Sequence, residues 1–384
     1  MRQKDSYRNV LHLTDYGAPY EGNFVASLRA LEAKLNAGNH GMTYVFPPRA
    51  AEKPWAQNMR REKDNVFIIE YGGFFSYVRR IRRLLKQNDV DILHVHFIQY
   101  REKIASLLAA RTCGHRVKLV VHLHNHLDLP KSFLRALPQR LYLAQADRFV
   151  CCSGSVARRL IADGIPAKKV DIAENAIAFE RLDAFVPLER ASLGVPEAAK
   201  IVLLFGFDFY RKGVDVAVDA VRLLRERLKK DFVLAVVLSS RKEEAERNIL
   251  AQLGISVLPE WILLLPPRSD VGSYYRFADV FVSPSREEGF CYALVEAAYC
   301  KTPIVGSAID AQKDLQLSEY AFCVPGDAPS LAEAILLQLG FLQEDTADIA
   351  LEAAKERAVQ TYSLSAWTES VLRAYDAMFV DRQS

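Results

Sequence analysis

Ser283-Pro284-Ser285-Arg286-Glu287-Glu288-Gly289-Phe290-Cys291-Tyr292-Ala293-Leu294-Val295-Glu296 is the segment from which the rest of the chain can be read. A short apolar run, Val280 to Val282, precedes it, and a helix-prone stretch follows. The order predicts a strand, a turn and a helix, with Glu288 at the mouth of the turn. Glu296 lies eight positions further on. A helical rise of about 1.5 Å per residue sets it roughly 12 Å along, some two turns away. Between the two carboxylates lie backbone N–H groups at a helix N-terminus, where no intrahelical partner exists and an anion is favoured. A phosphate site flanked by two carboxylates that seek hydroxyls suits a nucleotide-sugar, with ribose at one end and hexose at the other.

The same alternation of apolar strand and helical pattern extends outward in both directions. Strands are predicted at 201–205, 232–238, 262–265, 280–282 and 304–306, and earlier at 10–14, 43–46, 66–70, 92–97, 119–124 and 148–152. Alternation of this kind builds parallel sheets with helical crossovers. It weakens over 179–196, where Pro187 and Pro196 bracket a charged stretch, and a linker is predicted there. Three helical stretches close the chain; the last, 365–378, carries Trp367, Val371, Leu372 and Tyr375 on one face. Pro130 suits the first turn of the helix that ends near Ala144. The expectation is α/β, with two Rossmann-like, doubly wound domains. One covers 1–185 plus a returning helix at 363–384; the other covers 186–362. Such sheets bind ligands at the carboxyl ends of their strands, so the cleft between the domains is the expected site.

Composition agrees with a globular protein: of 384 residues, half are hydrophobic and a quarter charged. No apolar run approaches the roughly 18 residues a membrane span needs. The opening Met-Arg-Gln-Lys-Asp-Ser-Tyr lacks an apolar core and is not expected to act as a secretory signal. Cys113, Cys151, Cys152, Cys291, Cys300 and Cys323 form no Cys-x-x-Cys pair, which points to reduced thiols in a cytoplasm. The net charge of +3 conceals an asymmetry. Residues 1–190 hold 30 Lys and Arg against 19 Asp and Glu; residues 191–384 hold 20 against 28. Two halves of opposite sign suggest domains that face different partners.

With Ala297-Ala298 and Thr302-Pro303-Ile304-Val305 added, segment 283–305 resembles the sugar-nucleotide site of retaining GT-B glycosyltransferases of family 4 (glycosyl transferases group 1). Their pattern reads Pro-Ser-x-x-Glu-Gly-Phe-Gly, then Glu-Ala, then Gly-x-Pro-Val-Val. Cys291 and Lys301 replace two of the glycines. The resemblance implies that Glu288 faces the donor sugar and Glu296 the ribose. Gly289, Phe290, Cys291, Tyr292, Ala293 and Leu294 would line the diphosphate through their backbone, and Pro267, in Leu265-Pro266-Pro267-Arg268, would border the base.

A second block, Phe205-Gly206-Phe207-Asp208-Phe209-Tyr210-Arg211-Lys212-Gly213, sets a lysine at a helix start. The helix dipole disfavours a cation there, which argues for an anionic ligand. In the family this block reads Gly-Arg, then Lys-Gly five residues on, and both cations neutralise the leaving diphosphate. Lys212 keeps its spacing from Gly206, but Phe207 stands where the arginine belongs. Either Arg211 supplies the second charge from a different place, or the site works with one cation.

The third block is His122-Leu123-His124-Asn125-His126. A His-x-His spacing invites a metal reading. All eight histidines, however, lie at or before His126, so a zinc set would need Asp or Cys to complete it, and no metal is expected. In the family His124 takes the place of a histidine beside the donor sugar; plain packing at the sheet edge explains His122 and His126. The first loop, Thr14 to Asn23, lacks the family's glycine doublet and leaves Gly17 as a donor contact. Asp89-Val90-Asp91 imitates the metal pair of the other glycosyltransferase fold, but it precedes a strand and is read as a helix end. Residues 74–87 form a basic amphipathic helix with Arg79, Arg80, Arg82, Arg83 and Lys86 among Phe75, Val78, Ile81, Leu84 and Leu85. A solvated face is the ordinary reading; docking on an anionic membrane is the alternative. No nucleic-acid motif accompanies the charge.

The expectation is therefore a cytoplasmic, metal-independent, retaining hexosyltransferase, with peripheral attachment at the inner face of the membrane as the alternative reading of its basic helix. It would use a UDP-, GDP- or ADP-sugar and a lipid-linked or polysaccharide acceptor in surface glycan synthesis, with Glu288, Lys212 and His124 at the reaction. The alternatives are a nucleotide-sugar epimerase of the same fold and a module that binds without turnover.

Overall fold

The computed structural model describes residues 7–127, 133–238, 242–317, 320–341 and 346–380. It divides into two compact units, one ending at Ala176 and taking back the helix Leu364–Val380, the other Ile177–Ser363. The first unit contains β1 (Asn9–Thr14), β2 (Gly41–Phe46), β3 (Val66–Ile68), β4 (Ile92–His96), β5 (Lys118–Leu123), β6 (Arg148–Cys151) and β7 (Val170–Ile172). All pair in parallel, in the order β3-β2-β1-β4-β5-β6-β7. The second contains β8 (Lys200–Phe205), β9 (Phe232–Val237), β10 (Ile262–Leu265), β11 (Val280–Ser283), β12 (Ile304–Ser307) and β13 (Ala321–Cys323), also parallel, in the order β10-β9-β8-β11-β12-β13. Both are doubly wound sheets whose winding reverses at the middle, between β1 and β4 and between β8 and β11.

Parallel strands are covered on both faces and so consist of near-continuous apolar residues. Every residue of β9 is buried, as is every residue of β4, including its two histidines. Helices complete each core. In the first unit Trp367, Val371, Ala374 and Tyr375 of the last helix join Leu28, Leu31 and Leu35 of the helix Gly22–Ala37. In the second, Val214, Val218, Val221 and Leu224 of the helix Val214–Leu228 meet Leu331 and Ile335 of the helix Ala328–Phe341.

One device recurs at strand starts. Asp91, just before β4, accepts the N–H groups of Arg8 and Asn9 at 2.8 and 3.2 Å and so fixes the start of β1. Asp147, before β6, accepts from Leu119 of β5 at 2.9 Å and pairs with Lys118. Asp279, before β11, accepts from Ile201 of β8 at 2.9 Å and pairs with Lys200 and Arg190. Asp91 thus opens a strand, as read from the sequence.

Several expectations are corrected. β7 and β13 went unpredicted; each is a three-residue edge strand, and Asp171 breaks the apolar run of the first. The start of the predicted linker is structured. Glu180–Asp183 is a helical turn, Leu182 is fully buried, and Phe179 stacks on Tyr299 at 4.5 Å. Arg181, Asp183 and Arg190 of this stretch are paired within the second unit, with Glu296, Arg276 and Asp279. The helix after Glu288 begins only at Tyr292, so Glu288 lies in a loop and Glu296 one turn into the helix Tyr292–Tyr299. The two-turn estimate across these residues was therefore wrong. Phe75 is 76% exposed; Tyr77, Ile81, Leu84 and Leu85 form the buried stripe of the basic helix Phe74–Gln87. Pro130 lies outside the described residues.

Candidate active site

The switch point of the second sheet brings two loops together. One follows β8 and the other follows β11, and these strands are neighbours. Two glycines permit the approach. A Cβ on Gly206 would stand 2.7 Å from Val214 and 2.8 Å from Val236, so the first loop can turn beneath the sheet edge only without a side chain. Gly213 has φ +72°, and a Cβ there would overlap the Pro284 carbonyl of the second loop. The Arg286 N–H donates to the Arg211 carbonyl at 2.9 Å, and the Arg286 guanidinium grips Asp215 with two bonds of 2.7 and 2.8 Å.

The loops carry opposite charges into contact. Lys212 Nζ pairs with Glu288 Oε1, which also accepts a bond from the Ser285 hydroxyl at 2.9 Å. Arg211 Nη1 stands 3.7 Å from Glu288 Oε2. The Glu288 side chain is 6% exposed. Phe207 bears on both cations: Lys212 Nζ lies 4.5 Å and the Arg211 Cζ 5.4 Å from its ring centroid. The residue that departs from the family pattern thus supports two cations through its ring face. Arg211 is steadied further by Asp208, 3.1 Å from its Nε.

The next helix opens with Cys291 at its cap position and no side-chain cap. Cys291 is buried, with Sγ 3.3 Å from the Ser283 hydroxyl. Burial first, and the charge of Glu288 second, push its thiol up to about 11, so it is a packing group and a poor nucleophile. Gly289, Phe290, Tyr292, Ala293 and Leu294 surround this helix start; Phe290 and Leu294 are buried, while Tyr292 and Ala293 are partly open. Glu296, 5% exposed, has each oxygen engaged: Oε1 by Arg181, Oε2 by the Tyr275 hydroxyl at 2.8 Å. Burial, then the Glu296 charge, hold the Tyr275 phenol well above its ordinary range, so it remains a donor. Pro267 is exposed on the loop after β10, which an Arg268–Asp270 pair fastens.

His124 and Gly17 belong to the first unit, beyond the carboxyl ends of β5 and β1. Gly17 packs against the Arg49 side chain, whose guanidinium is paired with Asp15 at 2.6 Å. His124 ends a chain of rings. Its Nε2 is 3.1 Å from His96 Nδ1, and His96 Nε2 is 3.0 Å from His12 Nδ1. His12 Nε2 is 3.2 Å from the Tyr375 hydroxyl, which is 2.6 Å from His94 Nδ1; His94 Nε2 is 3.2 Å from His122 Nδ1. A neutral imidazole has one donor and one acceptor, so each ring passes a hydrogen bond to the next. Burial drives His12 and His124 down to about 3 and the other three well below their ordinary value. Ring nitrogens of His96, His122 and His124, and of His12, His94 and His96, gather within 4.8 Å. His122 and His124, however, stack with planes 6° apart and centroids at 4.3 Å. Parallel rings direct their lone pairs side by side, whereas a tetrahedral zinc site needs them to converge.

Sequence reasoning singled out Glu288, Lys212 and Arg211, which the structure brings together, and Glu296, which it pairs separately. It missed Arg181, Tyr275, Ser285 and Arg286 as their partners. It also missed Gln312, whose amide donates to the Ser283 hydroxyl at 2.9 Å and braces the end of β11.

Two doubly wound units, the second with paired acids and bases at its switch point, define a GT-B enzyme. Residues 186–350 match the family described as glycosyl transferases group 1, and residues 14–181 match glycosyltransferase family 4. The chain is 28% identical over 305 residues to a phosphatidyl-myo-inositol mannosyltransferase of Mycobacterium leprae, covering 78% of this chain and 76% of that protein. It is 30% identical over 280 residues to a D-inositol 3-phosphate glycosyltransferase of Kineococcus radiotolerans, covering 66% and 62%. Among solved structures it shares the fold of a Rickettsia africae glycosyltransferase, at 19% identity and TM-score 0.80 over 98% of this chain and 99% of that one. It also shares the fold of Anabaena HepE, solved with UDP and glucose, at 16% identity and TM-score 0.73 over 95% and 98%. The chain belongs to the group 1, family 4 glycosyltransferases and is a hexosyltransferase.

Proposed function

We propose that the protein transfers a hexose, with retention and without a metal, from a nucleoside diphosphate-sugar to a lipid-linked or glycan acceptor held by the first unit. The observation that carries this is the pair of buried carboxylates on one loop and helix, each paired with basic side chains: Glu288 with Lys212 and Arg211, Glu296 with Arg181. With Asp208 on Arg211, three acids balance three bases at rest. An incoming diphosphate competes with Glu288 for Lys212 and Arg211, and Glu288 then turns its oxygens to the sugar hydroxyls. The cations stabilise the charge that develops on the leaving diphosphate, and the N-terminal end of the helix Tyr292–Tyr299 favours the same anion through its dipole. Glu296 takes the ribose hydroxyls, and His124, a neutral ring, serves the sugar as a hydrogen-bonding partner. Glu288 is buried and charge-paired, which suits orienting a ring better than attacking carbon, so no protein nucleophile is assigned.

For the acceptor, the names of the relatives support an inositol phosphate or an inositol lipid. The basic helix Phe74–Gln87 supports anionic headgroups as its docking surface: Arg79, Arg80, Arg82, Arg83 and Lys86 are exposed, with Phe75 at its start. No helix among the described residues is long and apolar enough to cross a membrane. Vesicle flotation with anionic lipid at low salt tests the docking; protein that stays with the buffer refutes it.

The first test of the reaction is thermal stabilisation by UDP, GDP, ADP and their sugar conjugates, since a ligand of the folded state raises the melting temperature. One nucleotide is expected to stabilise the parent and to lose its effect in Glu296→Ala. Turnover with that donor in excess EDTA is expected to match turnover without it. No stabilisation by any nucleotide would remove the reading.

A further inference from the structure

Residues 179–183, which connect to the second unit's sheet through an irregular stretch, are fastened onto that unit's helix Tyr292–Tyr299 and onto Gly272–Phe277. Phe179 stacks on Tyr299 with planes 25° apart. The Tyr299 hydroxyl donates to Asp183 Oδ2 at 2.8 Å. Arg276 Nη1 donates to the Leu182 carbonyl at 2.6 Å, and a Cβ on Gly272 would overlap that same carbonyl. Arg181 lies between these anchors, so its backbone is held on both sides, and its guanidinium reaches Glu296 Oε1. Tyr275, fully buried, holds the other oxygen. A guanidinium from one direction and a phenol from the other leave the Glu296 carboxylate a single orientation.

We propose that Arg181 is a positioning residue for nucleotide recognition: acting through Glu296, it fixes the carboxylate that receives the 2′ and 3′ hydroxyls of the donor's ribose. This rests on the reading of Glu296 as the ribose group. The physical reason is the burial of the acid. A carboxylate at 5% exposure without its cation is an uncompensated charge, and it turns or takes up another partner to relieve that cost. Two vicinal hydroxyls then meet a group that is no longer aimed at them. Lysine at 181 would keep the charge but lose the planar fork, and so restores the orientation only in part.

The test compares UDP, GDP and ADP with their 2′,3′-dideoxy counterparts by calorimetric titration of the parent, Arg181→Ala and Arg181→Lys, each checked for an intact melting transition. Hydrogen bonds to a charged acceptor make a ribose preference of about tenfold or more the expectation for the parent. In Arg181→Ala that preference is expected to shrink to about twofold while dideoxy affinity stays unchanged, as a thermodynamic cycle requires of a residue acting through the ribose contact. Arg181→Lys should fall between. In steady state, the donor KM should rise in Arg181→Ala with kcat nearly constant. Equal weakening of ribo and dideoxy nucleotides would make Arg181 merely structural and overturn the proposal, as would a full ribose preference in Arg181→Ala. Should Arg181→Ala fail to fold, the lysine variant decides alone, and an undiminished preference in it overturns the proposal. A parent that binds both sugars alike would remove the ribose reading of Glu296, a failure visible before any variant is made.

Discussion

Lys212 lies between the Glu288 carboxylate and the ring face of Phe207, and neither partner is adjacent to it in sequence. Replacing it removes a cation from the expected diphosphate and also leaves a buried acid short of its counter-charge. These effects separate. Lys212→Ala is expected to lose about a hundredfold or more in kcat and, independently, to lower the urea midpoint, because an orphaned buried charge costs up to roughly 3 kcal/mol. Adding Glu288→Gln to Lys212→Ala should recover much of the midpoint and none of the turnover. A double variant no more stable than the single one would mean that Arg211 and Ser285 already satisfy Glu288. The site was legible in the sequence to the extent that one segment holds it: the Glu pair and the Lys-Gly step are local patterns. Their partners were not legible. Arg181 is 115 residues from Glu296 in the chain and Lys212 is 76 from Glu288, and only the strand order makes them neighbours.

Among the elements, the central strands were legible because apolar runs between turn residues have few other destinations. The edge strands β7 and β13 were missed because three residues carry too little pattern. The tie that sets the strands against each other was also invisible, since an aspartate before a strand looks like any turn residue until its acceptor role is seen. Asp279 carries that role in the second unit, with the Ile201 N–H, Lys200 and Arg190 all on one carboxylate. Asp279→Ala leaves the N–H at the start of a buried central strand without its acceptor, at an expected cost of about 1–3 kcal/mol. Asp279→Asn keeps one acceptor and should cost less. Urea unfolding measures both. Equal midpoints for parent and Asp279→Ala would mean that the register of β8 is held by its apolar residues alone.

At the scale of the whole molecule, the sharpest asymmetry is the placement of histidine: all eight lie in the first unit and none in the second. Five of them form the chain through Tyr375, and four of those, His12, His94, His96 and His122, are fully buried. Burial lowers their affinity for protons, to about 3 at His12 and well below the ordinary value at the other three. Between the folded and unfolded values the unfolded chain binds more protons. Stability is therefore complete above about pH 6.5 and falls as pH drops toward 3. Each of these rings that stays neutral in the fold therefore withdraws stability once the pH falls below its unfolded value, and the four act in the same direction. The first unit should thus weaken before the second, which has no histidine to charge, as the pH falls below about 6.5. Hydrogen exchange followed by peptide from pH 7.5 to 5 reads the two units separately, and Trp55 and Trp367 against Trp261 offer an optical check. Amides of β4 and β5 should lose protection at a higher pH than those of β8 and β9. Equal protection in both sheets down to pH 5 would mean that the buried rings accept protons without cost, and the neutral hydrogen-bonded chain would have to be abandoned.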